Sequence, residues 1–154
     1  MTQPDAGFCG GCQCGALRYR IAGPLGKAGI CHCRMCQKAF GNFGAALVSV
    51  DLAVFKWTRG TPAEFRSSAI VSRGFCPACG TPLYMREDGD SNIEMAIGTL
   101  DNPNAIAAMT DQSGVESKVG WFDAMSNLPA RTTADDRSPE DLAKLKSLPH
   151  PGRD

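Results

Sequence analysis

The chain carries no net charge, because sixteen lysines and arginines offset sixteen aspartates and glutamates. Nothing therefore draws it as a whole to nucleic acid or to an anionic membrane surface. Aromatic residues are scarce too, at 7% of the sequence, which argues against a nucleic-acid binder, for which a basic face with stacking rings is expected. No run approaches the ~18 consecutive apolar residues that a membrane-spanning helix needs. Residues 1–7 have neither a basic segment nor an apolar core of the secretory kind, which gives a cytoplasmic location as the expectation. There is also no repeat at a solenoid or propeller period. A length of 154 residues then points to about one soluble domain that recognises its ligands locally.

Long helical periodicity is absent from the first 125 or so residues, and the apolar positions alternate instead. Leu17, Tyr19 and Ile21 alternate up to Gly23-Pro24. Further strands are expected over 45–50, 54–58, 65–72, 83–86 and 92–100, with a hairpin turn at 87–90. The fold class that follows is mainly β, built of short antiparallel strands. Two helical exceptions are expected: a short turn over 35–40, and a C-terminal helix capped by Ser138, with Pro139 in its first turn, that stops before Pro149. The expected division is one domain over 8–128 and a polar linker with a helical tail over 129–154.

What the chain does have is cysteine. Eight occur, seven of them in tight groups: Cys12-Gln-Cys14, Cys31-His-Cys33-Arg-Met-Cys36 and Cys76-Pro-Ala-Cys79-Gly80. Thiols this close are placed to share a metal ion rather than to oxidise with distant partners. On an extended strand Cys12 and Cys14 face the same side. The second pair reads as a knuckle whose Gly80 supplies a positive φ. Cys12, Cys14, Cys76 and Cys79 together would close a four-thiolate structural site. Cys31, Cys33 and Cys36 can converge unaided and leave a fourth position open, as catalytic metals require. Soft thiolates favour zinc. Alternatives stay open: Cys9 or His32 can close the second site and make it structural, and four thiolates can hold an iron–sulfur cluster, although the spacing is unusual for one. His32 is expected to face away from the metal and to serve as a hydrogen-bonding or core residue. Cys9 reads as an incidental thiol.

The segments 10–19, 31–36, 74–80 and Lys118-Val-Gly-Trp-Phe122 resemble the glutathione-dependent formaldehyde-activating enzyme and centromere protein V family. The resemblance covers roughly residues 10–125 and implies a β-tent fold with two zinc ions per chain. It implies a structural ion at Cys12, Cys14, Cys76 and Cys79, and a catalytic one at Cys31, Cys33 and Cys36. The family's named reaction condenses formaldehyde with glutathione, which makes a carbon–sulfur lyase or synthase acting on glutathione or a related small-thiol adduct the expected function. Nucleic acid and membrane are not expected partners. Glutathione has carboxylates, for which Arg34 and Lys38, and also Arg73 and Lys118, are candidate cations, Arg34 first for its closeness to the cluster. Members usually have a histidine-containing aromatic strand where this chain has 111–115. The competing expectations are a zinc-stapled binding module with two structural sites and a redox or metal-buffering protein.

Overall fold

The structure, a computed structural model, describes residues 7–148. Its elements are β1 (Phe8–Gly11), β2 (Arg18–Ile21), β3 (Ala28–Cys31), α1 (Arg34–Phe40), β4 (Ala45–Asp51), β5 (Phe55–Arg59), β6 (Ala63–Arg66), β7 (Val71–Phe75), β8 (Pro82–Glu87), β9 (Asn92–Ala96), β10 (Asp111–Ser113) and α2 (Pro139–Lys144). The strands form two sheets, β1-β2-β5 and β10-β3-β4-β9-β8-β7-β6. Every pairing is antiparallel except β10 with β3, which is parallel.

Alternation explains how the sheets meet. Tyr19 and Ile21 of β2 join Val48 and Val50 of β4, Leu83 and Tyr84 of β8, and Ile93 and Met95 of β9 in one buried core. Rings reinforce the contact: Tyr19 lies edge-on to Trp57 at 5.8 Å, and Trp57 lies 6.1 Å from Tyr84 on the larger sheet. Leu47 and Ser49 are one position out of phase with Val48 and Val50, so they face the other side of the sheet. That side carries the features described below. No helix among the described residues is long and apolar enough to cross a membrane.

Several expectations change. Residues 65–72 are not one strand: Ser67 N–H donates to the Val71 carbonyl at 2.8 Å, and the Ser68 hydroxyl accepts from Val71 N–H at 3.1 Å. These local bonds turn the chain and make β6 and β7 a hairpin. Strand pairing over 92–100 ends at Ala96, where a 3₁₀ turn over Ile97–Thr99 begins. Cys12 and Cys14 sit not on a strand but in the turn that follows β1, with Gly15 at φ 76° donating to the Cys12 carbonyl at 3.1 Å. β1, β3 and β10 were not foreseen, because Phe8–Gly11, Ala28–Cys31 and Asp111–Ser113 are short and carry no apolar–polar alternation. The tail helix is capped by Ser138, which accepts from Asp141 N–H at 3.1 Å. The expectations placed on residues 1–6 and on Pro149 lie outside the described residues.

Candidate metal centres and the adjoining cavity

The turn after β1 and the knuckle between β7 and β8 bring Cys12, Cys14, Cys76 and Cys79 together, with all four sulfurs within 4.8 Å of one another. Cys12 Sγ lies 3.6 Å from Cys14 Sγ, which lies 4.0 Å from Cys76 Sγ. Gly80 has φ 78°, and its N–H donates to the Cys76 carbonyl at 2.8 Å, so the knuckle closes in the left-handed conformation a glycine permits. Leu17 N–H points at Cys12 Sγ at 3.2 Å. Burial pushes the Cys76 thiol up to about 12. At Cys79 burial acts the same way, but the Thr81 hydroxyl and backbone N–H outweigh it and draw the thiol down to about 6. No disulfide joins any of the eight cysteines, all of which lie among the described residues, and four soft donors converging on one point fit a soft divalent cation.

The second group is built around a helix start. β3 ends on Cys31, Cys33 is the N-cap of α1, and the first turn returns Cys36. Their sulfurs also lie within 4.8 Å of one another, and Cys33 Sγ accepts from Cys36 N–H at 3.3 Å. Gln37 latches the helix, donating to the carbonyls of His32 at 2.7 Å and Ser117 at 2.9 Å. Gly114, at φ 61°, packs so closely that a Cβ there would lie 2.7 Å from the Cys33 nitrogen. His32 is fully buried, its Nε2 is 2.9 Å from Gln112 Oε1, and its ring meets Phe122 edge-on at 4.7 Å. It is the hydrogen-bonded core residue expected. Cys9 belongs to neither group.

Arg73 of β7 reaches this cluster. It is 4% exposed, its Nη2 lies 3.4 Å from Cys36 Sγ, its Nε donates to Ser67 Oγ at 2.8 Å, and its guanidinium lies over the Phe40 ring at 5.8 Å. Burial pushes the Cys36 thiol up to about 12 against the opposing pull of Arg73. Cys31 differs: burial raises it, but Ser113 and the Cys33 N–H more than compensate and hold it below the ordinary cysteine value.

Cys31 also borders a cavity of about 320 Å³. Its lining comes from five neighbouring strands: Gly29, Ile30 and Cys31 of β3, Leu47 and Ser49 of β4, Glu94 of β9, Met85 of β8, then Asp111 and Ser113 of β10, with Lys27 at one end. Lys27 pairs with Asp111 at 3.3 Å. The segment 111–115, set apart by its lack of histidine, thus supplies part of this wall. Arg34 and Lys38 stand elsewhere, in a separate depression with Phe43 and Trp121. Arg34 is hydrogen-bonded to Gln37 Oε1. Lys118 is held by Asp123 at 3.0 Å and lies over the Phe122 ring. Of the four candidate cations Arg73 touches the cysteines; nearness in sequence favoured Arg34, while strand pairing delivers Arg73. Lys27 was missed, although the alternation Lys27, Gly29, Cys31 running back from the cluster carried the signal.

The family model described as glutathione-dependent formaldehyde-activating enzyme matches residues 8–113. In three dimensions the chain is similar to the crystal structure of a Rhodobacter sphaeroides protein, with a TM-score of 0.53 and 20% identity over 66% of this chain and 96% of that one. At that identity the likeness is one of fold. None of the curated proteins matches it.

Proposed function

Because the chain belongs to the glutathione-dependent formaldehyde-activating enzyme family, we propose that it is a zinc enzyme of carbon–sulfur chemistry. It would join or part a small thiol such as glutathione and a one-carbon aldehyde at Cys31, Cys33 and Cys36. The observation that carries this reading is the asymmetry of the two groups: four cysteines make a complete ligand set, whereas three stop one short, and one of the three borders a cavity. Four protein donors leave no place for a substrate; three do.

Zinc held by the three sulfurs would supply positive charge that brings a thiol's ionisation toward neutral pH. In the addition, the substrate sulfur forms a bond to the aldehyde carbon, the carbonyl π electrons move to oxygen, and the proton lost by the thiol ends on that oxygen. The chain's own part is positioning. Leu47 and Met85 give the cavity an apolar floor, Ser49 and Ser113 offer hydroxyls, and Lys27 offers a cation. Holding two small reactants beside each other in such a space replaces a bimolecular encounter with an oriented one. Cys12, Cys14, Cys76 and Cys79 would hold the second zinc ion as a staple.

The test is to load the protein with cobalt, titrate with glutathione and follow the sulfur-to-cobalt charge-transfer band, then measure adduct formation with formaldehyde. A new band and a rate above the uncatalysed one are expected. No change in the band at millimolar glutathione or other small thiols overturns the reading; a band without rate enhancement moves the substrate to another thiol adduct.

A further inference from the structure

Arg73 is the one charged side chain that is buried among the described residues, and no carboxylate pairs with it there. A guanidinium stays protonated at any ordinary pH. Burying it without a counter-charge is strongly unfavourable, so the anion that compensates it has to be found nearby. The group in reach is the sulfur of Cys36, 3.4 Å from Nη2. Ser67 fixes the other edge of the guanidinium at 2.8 Å and Phe40 lies beneath it. The head group therefore has little freedom to turn toward anything else.

Charge counting gives this contact a purpose. Three thiolates around a divalent ion sum to one negative charge, and an incoming thiolate would make it two. With Arg73 included, the loaded cluster is neutral before the substrate arrives and singly negative afterwards. We propose, resting on the reading above that the three cysteines hold a divalent ion, that Arg73 is the built-in counter-charge of this centre. It acts as a positioning residue that tightens the cluster's hold on its ion and makes room for one further anionic sulfur. Such partners just outside a ligand set commonly govern a large share of metal affinity.

Chelator titration of the cobalt-loaded protein tests this, the three-cysteine step being identified as the one missing from Cys36→Ser. Arg73→Met, which keeps bulk over Phe40 and removes the charge, should weaken that step by about tenfold or more. The four-cysteine step should change far less. Arg73→Lys keeps the charge and should restore most of the affinity, which a purely packing role would not produce. Equal weakening in the two variants overturns the proposal, as does an unchanged step in Arg73→Met. If Arg73→Met does not fold, Arg73→Gln, which keeps a donor for Cys36 without the charge, is judged by the same two outcomes. Adding glutathione to the wild type at the end separates the two ideas: no new band defeats the proposed reaction and leaves the affinity comparison standing.

Discussion

Serine in place of Cys76 should unfold the protein far more readily than serine in place of Cys36, and the reason is topological. A metal in the first group ties the turn after β1 to the knuckle after β7, across a sequence separation of 62 residues between Cys14 and Cys76. Chain-entropy arithmetic for cross-linking a loop of that size gives about 4 kcal/mol. For a domain whose whole stability is ~5–15 kcal/mol this is a large share. The second group closes no long loop, since Cys31, Cys33 and Cys36 fall within one strand end and one helical turn. Cys36→Ser leaves a buried hydroxyl that can still accept from Arg73 while Cys31 and Cys33 stay in the cluster, a cost of about 1–3 kcal/mol. The loss of about 4 kcal/mol corresponds to a melting point roughly 8–16 °C lower in a chain of this size. Circular dichroism melts with elemental analysis of the same samples make the comparison. Wild type should hold about two zinc ions per chain, Cys36→Ser about one and remain folded, and Cys76→Ser should be insoluble or melt far earlier. Equal melting points for the two variants, or mainly iron in the wild type, refute the reasoning.

Gly114→Ala should damage the three-cysteine centre from outside it. The new Cβ would meet the Cys33 nitrogen at 2.7 Å with the backbone at φ 61°, a conformation costing a non-glycine residue about 1–2 kcal/mol; metal content near two ions per chain with unchanged melting would defeat this. At alkaline pH the buried Tyr19 phenol sets a slope. Burial pushes it up from 10.0 to about 12, so its contribution is complete below pH 10 and is lost as pH rises toward 12, about 3 kcal/mol in all. Denaturant unfolding at intervals across that window should show a steeper decline for wild type than for Tyr19→Phe, and parallel declines would sink the assignment.

The cysteine groups were legible because their spacing is a chemical requirement and survives any surrounding fold. The partition into four and three came from counting donors, and the sulfur positions agree with it. The strand with clear alternation, where buried Tyr19 and Ile21 alternate with Arg18 and Arg20, was legible from its own pattern. The cavity was not. Its wall combines Cys31 with Glu94 and Asp111, residues that meet only because β3 pairs with β4 on one side and with the three-residue β10 on the other. Such pairings join segments far apart in sequence and leave no local trace. Arg73 was hidden in the same way. A run expected as one strand over 65–72 placed it past the end, and only the Ser67–Ser68 turn sets the register that points it at Cys36.

Strand β7 has a double allegiance. Its third residue, Arg73, grips the open cluster, and the residue after its last, Cys76, belongs to the closed one. An ion that anchors one end of this five-residue strand therefore restricts the wandering of the other. The two centres are not independent fixtures on a frame but two loads on one short beam. Any help that filling the closed cluster gives the open one through this strand must be returned in equal measure when the open one fills, because linkage is symmetric.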